Sequence, residues 1–368
     1  MQTVPLAVLL TVCVAVVSLF VPACSGDASP PGGTTTGGST GTGPAAPSTG
    51  DIRALTASIA GGGSSFVDAF AQAVNADFNA ISGREIVTYA KSGSADGRKQ
   101  LATRTLDFAG TDSAAKPTES FQGGPVLYFP SVAAPITVSF HLNGIEELRL
   151  RPDTLAGIFS ARITTWDDPA VVADNPGVHL PARPIVVVHR SDGSGTTANF
   201  TSYLAKASPA VWTIGAGDTV NWPAGTQGAE KNSGVATVIA QTDGAIGYVD
   251  LADAIKADLA FASIRNRDGH FVGPTAKGTA AAVEHATVRD DLTYDPLDAP
   301  GADTYPLTAP TYFLAYRDQV DARQAETLRT WLAYMLSTGQ SQALPLGYVG
   351  LSDTLRQRAS AQIAEIVG

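Results

Sequence analysis

The chain has 368 residues, too many for one ordinary domain, so length alone points to two domains or one core with large insertions. Its 44% hydrophobic and 16% charged residues are those of a folded protein, not of a disordered or fibrous one. Acids exceed bases 34 to 24, the net charge is −10 and Lys and Arg form no cluster, which excludes nucleic acid as a partner because neutralising its backbone needs a basic face.

Residues 4–23 carry no charge and are long enough to span a bilayer as an uncleaved anchor. Val21-Pro22-Ala23-Cys24, however, resembles the lipobox of bacterial lipoprotein signal peptides. That resemblance implies a signal peptide over 1–24, a lipidated Cys24 as the mature first residue, and a body held on the outer face of the bacterial cell membrane. On either reading the body lies outside the cytoplasm. The cysteines, Cys13 and Cys24, both precede that body, which excludes a disulfide framework, thiol catalysis and redox chemistry within it. Residues 25–50 hold one charge and no large apolar side chain, so they read as a flexible tether with a reach of ~25–30 Å.

From Asp51 onwards strands and helices alternate. Phe66, Phe70, Val74 and Phe78 recur every four residues and predict an amphipathic helix, opened by residues 61–66, GGGSSF. Residues 86–89 predict a strand, then a helix through Leu101, a strand over 106–109 and an apolar strand over 132–140. Residues 154–159 predict a helix capped by Asp153, and 185–188 a buried strand with a helix directly after it, over 197–206. A strand over 245–249 and a long helix over 321–336, with Leu328, Trp331, Leu332 and Met335 on one face, complete the pattern. Such alternation predicts an α/β fold whose ligands sit beyond strand carboxyl ends.

Four strand-to-helix turns share one composition. They are residues 61–66, residues 92–97 (SGSADG), residues 110–113 (GTDS) and residues 190–197 (RSDGSGTT). Glycines let backbone N–H groups approach a ligand, hydroxyls add donors, and helix N-termini carry partial positive charge, which together suit an anion. Arg190 adds a fork of donors matched to tetrahedral oxygens. Composition alone leaves plain helix capping open as an explanation.

Arg190 to Thr196, RSDGSGT, followed by Asn199-Phe200-Thr201-Ser202-Tyr203-Leu204, resembles the signature of the phosphate-binding proteins that feed ABC-type phosphate importers. GGGSSF at 61–66, GSADGRKQ at 93–100, DFAGTD at 107–112 and GAIGYV at 244–249 extend the resemblance over nearly the whole body, with Ala109 replacing the family's usual Gly. The resemblance implies a two-domain clamshell of the periplasmic-binding-protein type II kind, with mixed sheets flanked by helices and two chain crossings as hinge. Its domains would be 51–139 plus 308–368, and 140–307. Inorganic phosphate would be held by Ser65, Phe66, Ser94, Asp112, Arg190, Ser194, Gly195 and Thr196, with Asp192 orienting Arg190. No cofactor, metal or catalytic residue is implied. The implied partners are the transmembrane permease subunits of a phosphate importer and, through Cys24, the membrane, and the protein itself would be a monomer.

Asp112 bears most on mechanism. A carboxylate facing an anion repels it unless that anion has a proton to donate, as phosphate does near neutral pH and sulfate does not. Among the alternatives, residues 193–198 fit a G-x-G-x-x-A dinucleotide fingerprint, but residues 210–217 make a poor following strand and the other three loops stay unexplained. Ser194 as the nucleophile of a phosphate-ester hydrolase lacks the glycines of a nucleophile elbow, since Asp192 and Thr196 occupy those positions. His189, alternating with Val187 on a strand, reads as packed rather than catalytic. A binding protein for another tetrahedral oxyanion is the remaining competitor.

Overall fold

The computed structural model describes residues 48–368, so the expected signal peptide, Cys24 and nearly all of the expected tether lie outside the described residues. The first elements are α1 Thr49–Ala54, β1 Ile59–Gly63, α2 Asp68–Ser82, β2 Val87–Lys91, α3 Ser94–Ala102, β3 Phe108–Thr111 and β4 Val126–His141. Next come β5 Arg149–Leu150, α4 Pro152–Phe159, α5 Pro169–Asp174, β6 Val186–Arg190, α6 Gly195–Ala207, β7 Gln227–Ala229, α7 Lys231–Gln241, β8 Ala245–Asp250 and α8 Leu251–Lys256. The short β9 Ala260–Phe261, β10 Ser263–Arg265, β11 Phe271–Val272 and α9 Ala276–Glu284 precede β12 Thr308–Tyr316, α10 Ala322–Leu336 and α11 Asp353–Gln362.

The principal sheet runs β2-β1-β3-β12-β4-β8-β6-β7. Its outer thirds have the same construction. In one, β1 lies between β2 and β3, all parallel; in the other, β6 lies between β7 and β8, again all parallel. Parallel neighbours need crossovers, supplied by α2 and α3 on one side and by α6 and α7 on the other. Between the two groups, β12 and β4 run antiparallel to their neighbours. β4 serves both groups: residues 126–135 pair with β12 and residues 136–141 with β8. The result is the mixed α/β architecture that the alternation predicted.

The apolar periodicities all point inward. Phe66, Phe70, Val74 and Phe78 are fully buried, as are Leu328, Trp331, Leu332 and Met335 of α10, and Phe108 stacks against Trp331 with ring centroids 4.4 Å apart. Three details differ from expectation. Residues 61–63 close strand β1 instead of opening a helix. A Cβ on Gly61 would lie 2.1 Å from the Phe108 ring, so this strand is glycine because a ring fills the side-chain space. The cap of α4 is Arg151, with Pro152 in the first turn, so Asp153 sits inside the helix. Finally, α1 reaches back into the last two residues of the expected tether, nucleated by a reciprocal Ser48–Asp51 capping box.

Candidate anion-binding site

Six strand ends converge where the two parallel groups meet. Residues 64–66 follow β1, residues 92–93 follow β2 and Asp112 follows β3; residues 191–194 follow β6, Glu230 follows β7 and Asp250 ends β8. Asp112 is nearly inaccessible, 2% exposed. Ser64 Oγ donates to its Oδ1 at 2.6 Å and Ser94 Oγ to its Oδ2 at 3.2 Å, while Asn199 Nδ2 holds its backbone oxygen at 2.6 Å. Burial pushes the Asp112 carboxyl up from 3.8 to about 6, against the pull of the two hydroxyls and of the charges on Arg190 and Arg98.

Arg190, also buried, faces it from the second group. Its Nε donates to Asp192 Oδ1 at 2.6 Å, one Nη2 hydrogen goes to Asp192 Oδ2, and Nη1 donates to Asn232 Oδ1 at 2.9 Å. Three of the five N–H groups are thereby used and two remain for a ligand. Burial alone would raise the Asp192 carboxyl, but the bidentate Arg190 pair and the Lys231 N–H hold it below its ordinary value. Asp192 thus lies in direct contact with Arg190, the residue that the resemblance has it orient.

Ser194 caps α6. Its Oγ accepts the Thr197 N–H at 3.1 Å and its carbonyl the Ala198 N–H at 3.0 Å, which leaves the Gly195 and Thr196 N–H groups without partners in the helix. A Cβ at Gly195 would lie 2.6 Å from Ser94 Oγ and 2.7 Å from Asp112 Oδ2, so only glycine lets the helix end approach the opposite loops this closely. The two groups also touch through Ala95 N–H to Gly193 O, at 3.2 Å. Further out, the buried Arg98 donates to Asp218 Oδ2 at 2.9 Å, Ser113 Oγ to Asp218 Oδ1 at 2.8 Å, and Lys116 lies 3.3 Å from the same carboxylate.

All the expected site residues therefore fall in one network, though Ser65 and Phe66 enter it indirectly. The Phe66 N–H donates to Ser64 Oγ at 3.0 Å, and Ser65 Oγ accepts the Asn232 N–H at 3.2 Å. Sequence reasoning passed over Ser64, Asn232, and the Arg98–Asp218 contact. Ser64 stands beside Ser65 in the glycine-rich turn and was within reach. Asn232 lies in a fifth strand-to-helix turn, but its strand, β7, is three residues long and leaves no periodic signal. His189 packs as read, stacked on Trp222 with centroids 4.6 Å apart, and burial lowers its pKa.

Comparison with known proteins decides the family. The profile of the PBP superfamily domain matches residues 30–338. Phosphate-binding protein PstS of Xylella fastidiosa (strain 9a5c) is 37% identical over 309 residues, covering 82% of this chain and 84% of the relative. The chain belongs to the PstS phosphate-binding protein family. PstS of Methanocaldococcus jannaschii is 34% identical over 295 residues, covering 73% of this chain and 75% of its own. Among solved structures, the high affinity periplasmic phosphate-binding protein PfluDING, bound with phosphate, superposes with a TM-score of 0.68 over 83% of this chain and 93% of its own, at 23% identity, and shares the fold. The matched relatives carry the name phosphate-binding protein.

Proposed function

We propose that this chain binds inorganic phosphate outside the cytoplasm and delivers it to the transmembrane permease of an ABC phosphate importer. Phosphate would take the two free Arg190 N–H groups, the Gly195 and Thr196 N–H groups and the Thr196 hydroxyl, with Ser94 and the β1 loop contributing by turning donors from their present partners to the ligand. The observation that carries the reading is Asp112, a buried carboxylate amid donors. Its place is explained by a ligand that brings a proton to it, which favours phosphate over sulfate and other fully ionised oxyanions. The net charge of −10 opposes anion binding at long range, so affinity must come from these local dipoles and hydrogen bonds.

The domains would be 51–139 plus 308–368, and 140–307, closing on the ligand as a clamshell about β4 and β12. The change of partner within β4 at Ile136 and the start of β12 at Thr308 support crossings close to those points. The chain would act as a monomer and not as an enzyme: the Ser194 hydroxyl accepts a helix N–H, which suits a cap better than a nucleophile. Lipidation of Cys24 would anchor the body to the outer face of the cell membrane through the tether. Calorimetric titration of phosphate-stripped protein with phosphate and with sulfate tests the reading. Strong heat from phosphate and little from sulfate is expected; equal binding of both would overturn it.

A further inference from the structure

Asn232 is fully buried, and each polar group of its side chain is engaged. Oδ1 accepts from Arg190 Nη1 at 2.9 Å, and Nδ2 donates to Asp250 Oδ2 at 2.8 Å and to Thr196 Oγ1 at 3.3 Å. Its backbone N–H reaches across to Ser65 Oγ at 3.2 Å, so this one residue touches the arginine, the end of α6 and the β1 loop of the opposite group. The turn is built to place it: Lys231, just before, adopts φ 63°, left-handed and unusual outside glycine, and aims its N–H at Asp192 Oδ1 at 3.1 Å.

The two ends of a carboxamide are nearly alike in shape, so only their partners decide which way it points. Here Arg190 decides, because a guanidinium has only donors and the amide oxygen must face it. The amide nitrogen then faces Asp250 Oδ2, whose companion Oδ1 accepts the Asp253 N–H at 2.9 Å. Turned over, the amide would present donors to a guanidinium that has only donors. A carboxylate in its place would accept as well but would form a second ion pair with Arg190 and weaken the positive charge offered to an anion. We propose that Asn232 is the positioning residue of the anion site: its neutral amide fixes the Arg190 guanidinium against both sheet groups. The proposal rests on the phosphate-binding reading above.

The test is a double-mutant cycle on the full chain, titrated calorimetrically with inorganic phosphate: wild type, Asn232→Ala, Arg190→Ala and the pair. If Asn232 acts through Arg190, Asn232→Ala weakens binding by about tenfold or more in the wild-type background and by less than about twofold when Arg190 is already alanine. A similar loss in both backgrounds, or none, overturns the proposal, because a merely structural role does not depend on Arg190. Should Asn232→Ala not fold, Asn232→Asp carries the same cycle at nearly constant volume. A carboxylate there still accepts from Arg190 but pairs its charge, and a loss of about fivefold confined to the Arg190 background is expected. An equal loss without Arg190, or an unchanged affinity, again overturns it. Absence of phosphate binding by the wild type would instead remove the underlying reading, before any variant is considered.

Discussion

At the scale of single residues, Asp112 ties selectivity to pH. Its carboxyl titrates at about 6 because burial opposes the charge, so above that pH it presents two acceptors and below it a donor as well. Sulfate binding by the wild type should therefore strengthen as pH falls through about 6, while Asp112→Asn, a permanent donor of the same volume, should bind sulfate at neutral pH more tightly than wild type by about 1–3 kcal/mol and without that pH dependence. Calorimetry of both proteins at pH 5 and pH 8 reads both effects. A variant that rejects sulfate as strongly as wild type removes Asp112 as the discriminator. Stability supplies a second check. A carboxyl with a raised folded-state pKa binds more protons folded than unfolded, so the ligand-free protein should lose stability as pH rises from about 4 to about 6, by on the order of 3 kcal/mol from this group. Urea unfolding should show Asp112→Asn gaining on wild type between pH 4.5 and pH 7; a constant difference contradicts the assignment. Asp112, Arg190 and Ser194 stood out in the sequence because each lies in a turn of glycines and hydroxyls, and the family resemblance supplied the role proposed for each. Asn232 and Asp218 did not, because what matters about each is a residue distant in the chain, Arg190 for Asn232 and, 120 positions away, Arg98 for Asp218.

Elements were legible where one face is apolar at a fixed period, as in α2 and α10, and illegible where space and not hydrophobicity dictates the residue. β1 is the central strand of its group, yet its sequence, IAGGG, carries almost no strand signal. Each glycine answers a neighbour: the Phe108 ring at Gly61, the Ala90 carbonyl 2.7 Å from a Cβ on Gly62, and the Gly110 carbonyl 2.4 Å from one on Gly63, whose φ is 122°. Gly61→Ala should accordingly force Phe108 off Trp331 and Phe313 and cost about 3 kcal/mol or more, comparable to losing a large core side chain. Chemical denaturation measures this directly, and a loss below about 1 kcal/mol would show that the ring has room to move.

For the whole molecule, the contacts of Asp218 join the two proposed domains beyond the ligand site, and on the clamshell reading they would hold the closed form shut. Asp218→Ala removes at once the partners of Arg98, Ser113 and Lys116, leaving Arg98 only Glu119 and two hydroxyls. Phosphate affinity should fall by about 1–3 kcal/mol, chiefly through faster release, and small-angle scattering should show the variant compacting only at higher phosphate than wild type. An identical compaction curve would mean that Asp218 does not act in closure. The tether makes its own prediction: Cys24→Ser should leave a precursor without acyl chains, and mass spectrometry of the membrane-extracted wild type should find a lipid on Cys24 as residue one. An intact Met1 on that protein would exclude it.

β12 lies between β3 and β4, so the middle strand of the larger sheet is drawn from the far end of the chain. The Ser131–Thr311 hydroxyl contact at 2.5 Å joins positions 180 residues apart. The segment from β6 to β8 can pair as soon as it is made, whereas β3 and the first half of β4 hold open edges until residues 308–316 arrive. Long-range pairing of this kind is slow, and open edges invite the wrong partners. A chain delivered N-terminus first thus covers the inner edge of its later-made parallel group before that of its earlier-made one, and depends, until residues 308–316 arrive, on whatever keeps two open strand edges apart from their neighbours in the crowd.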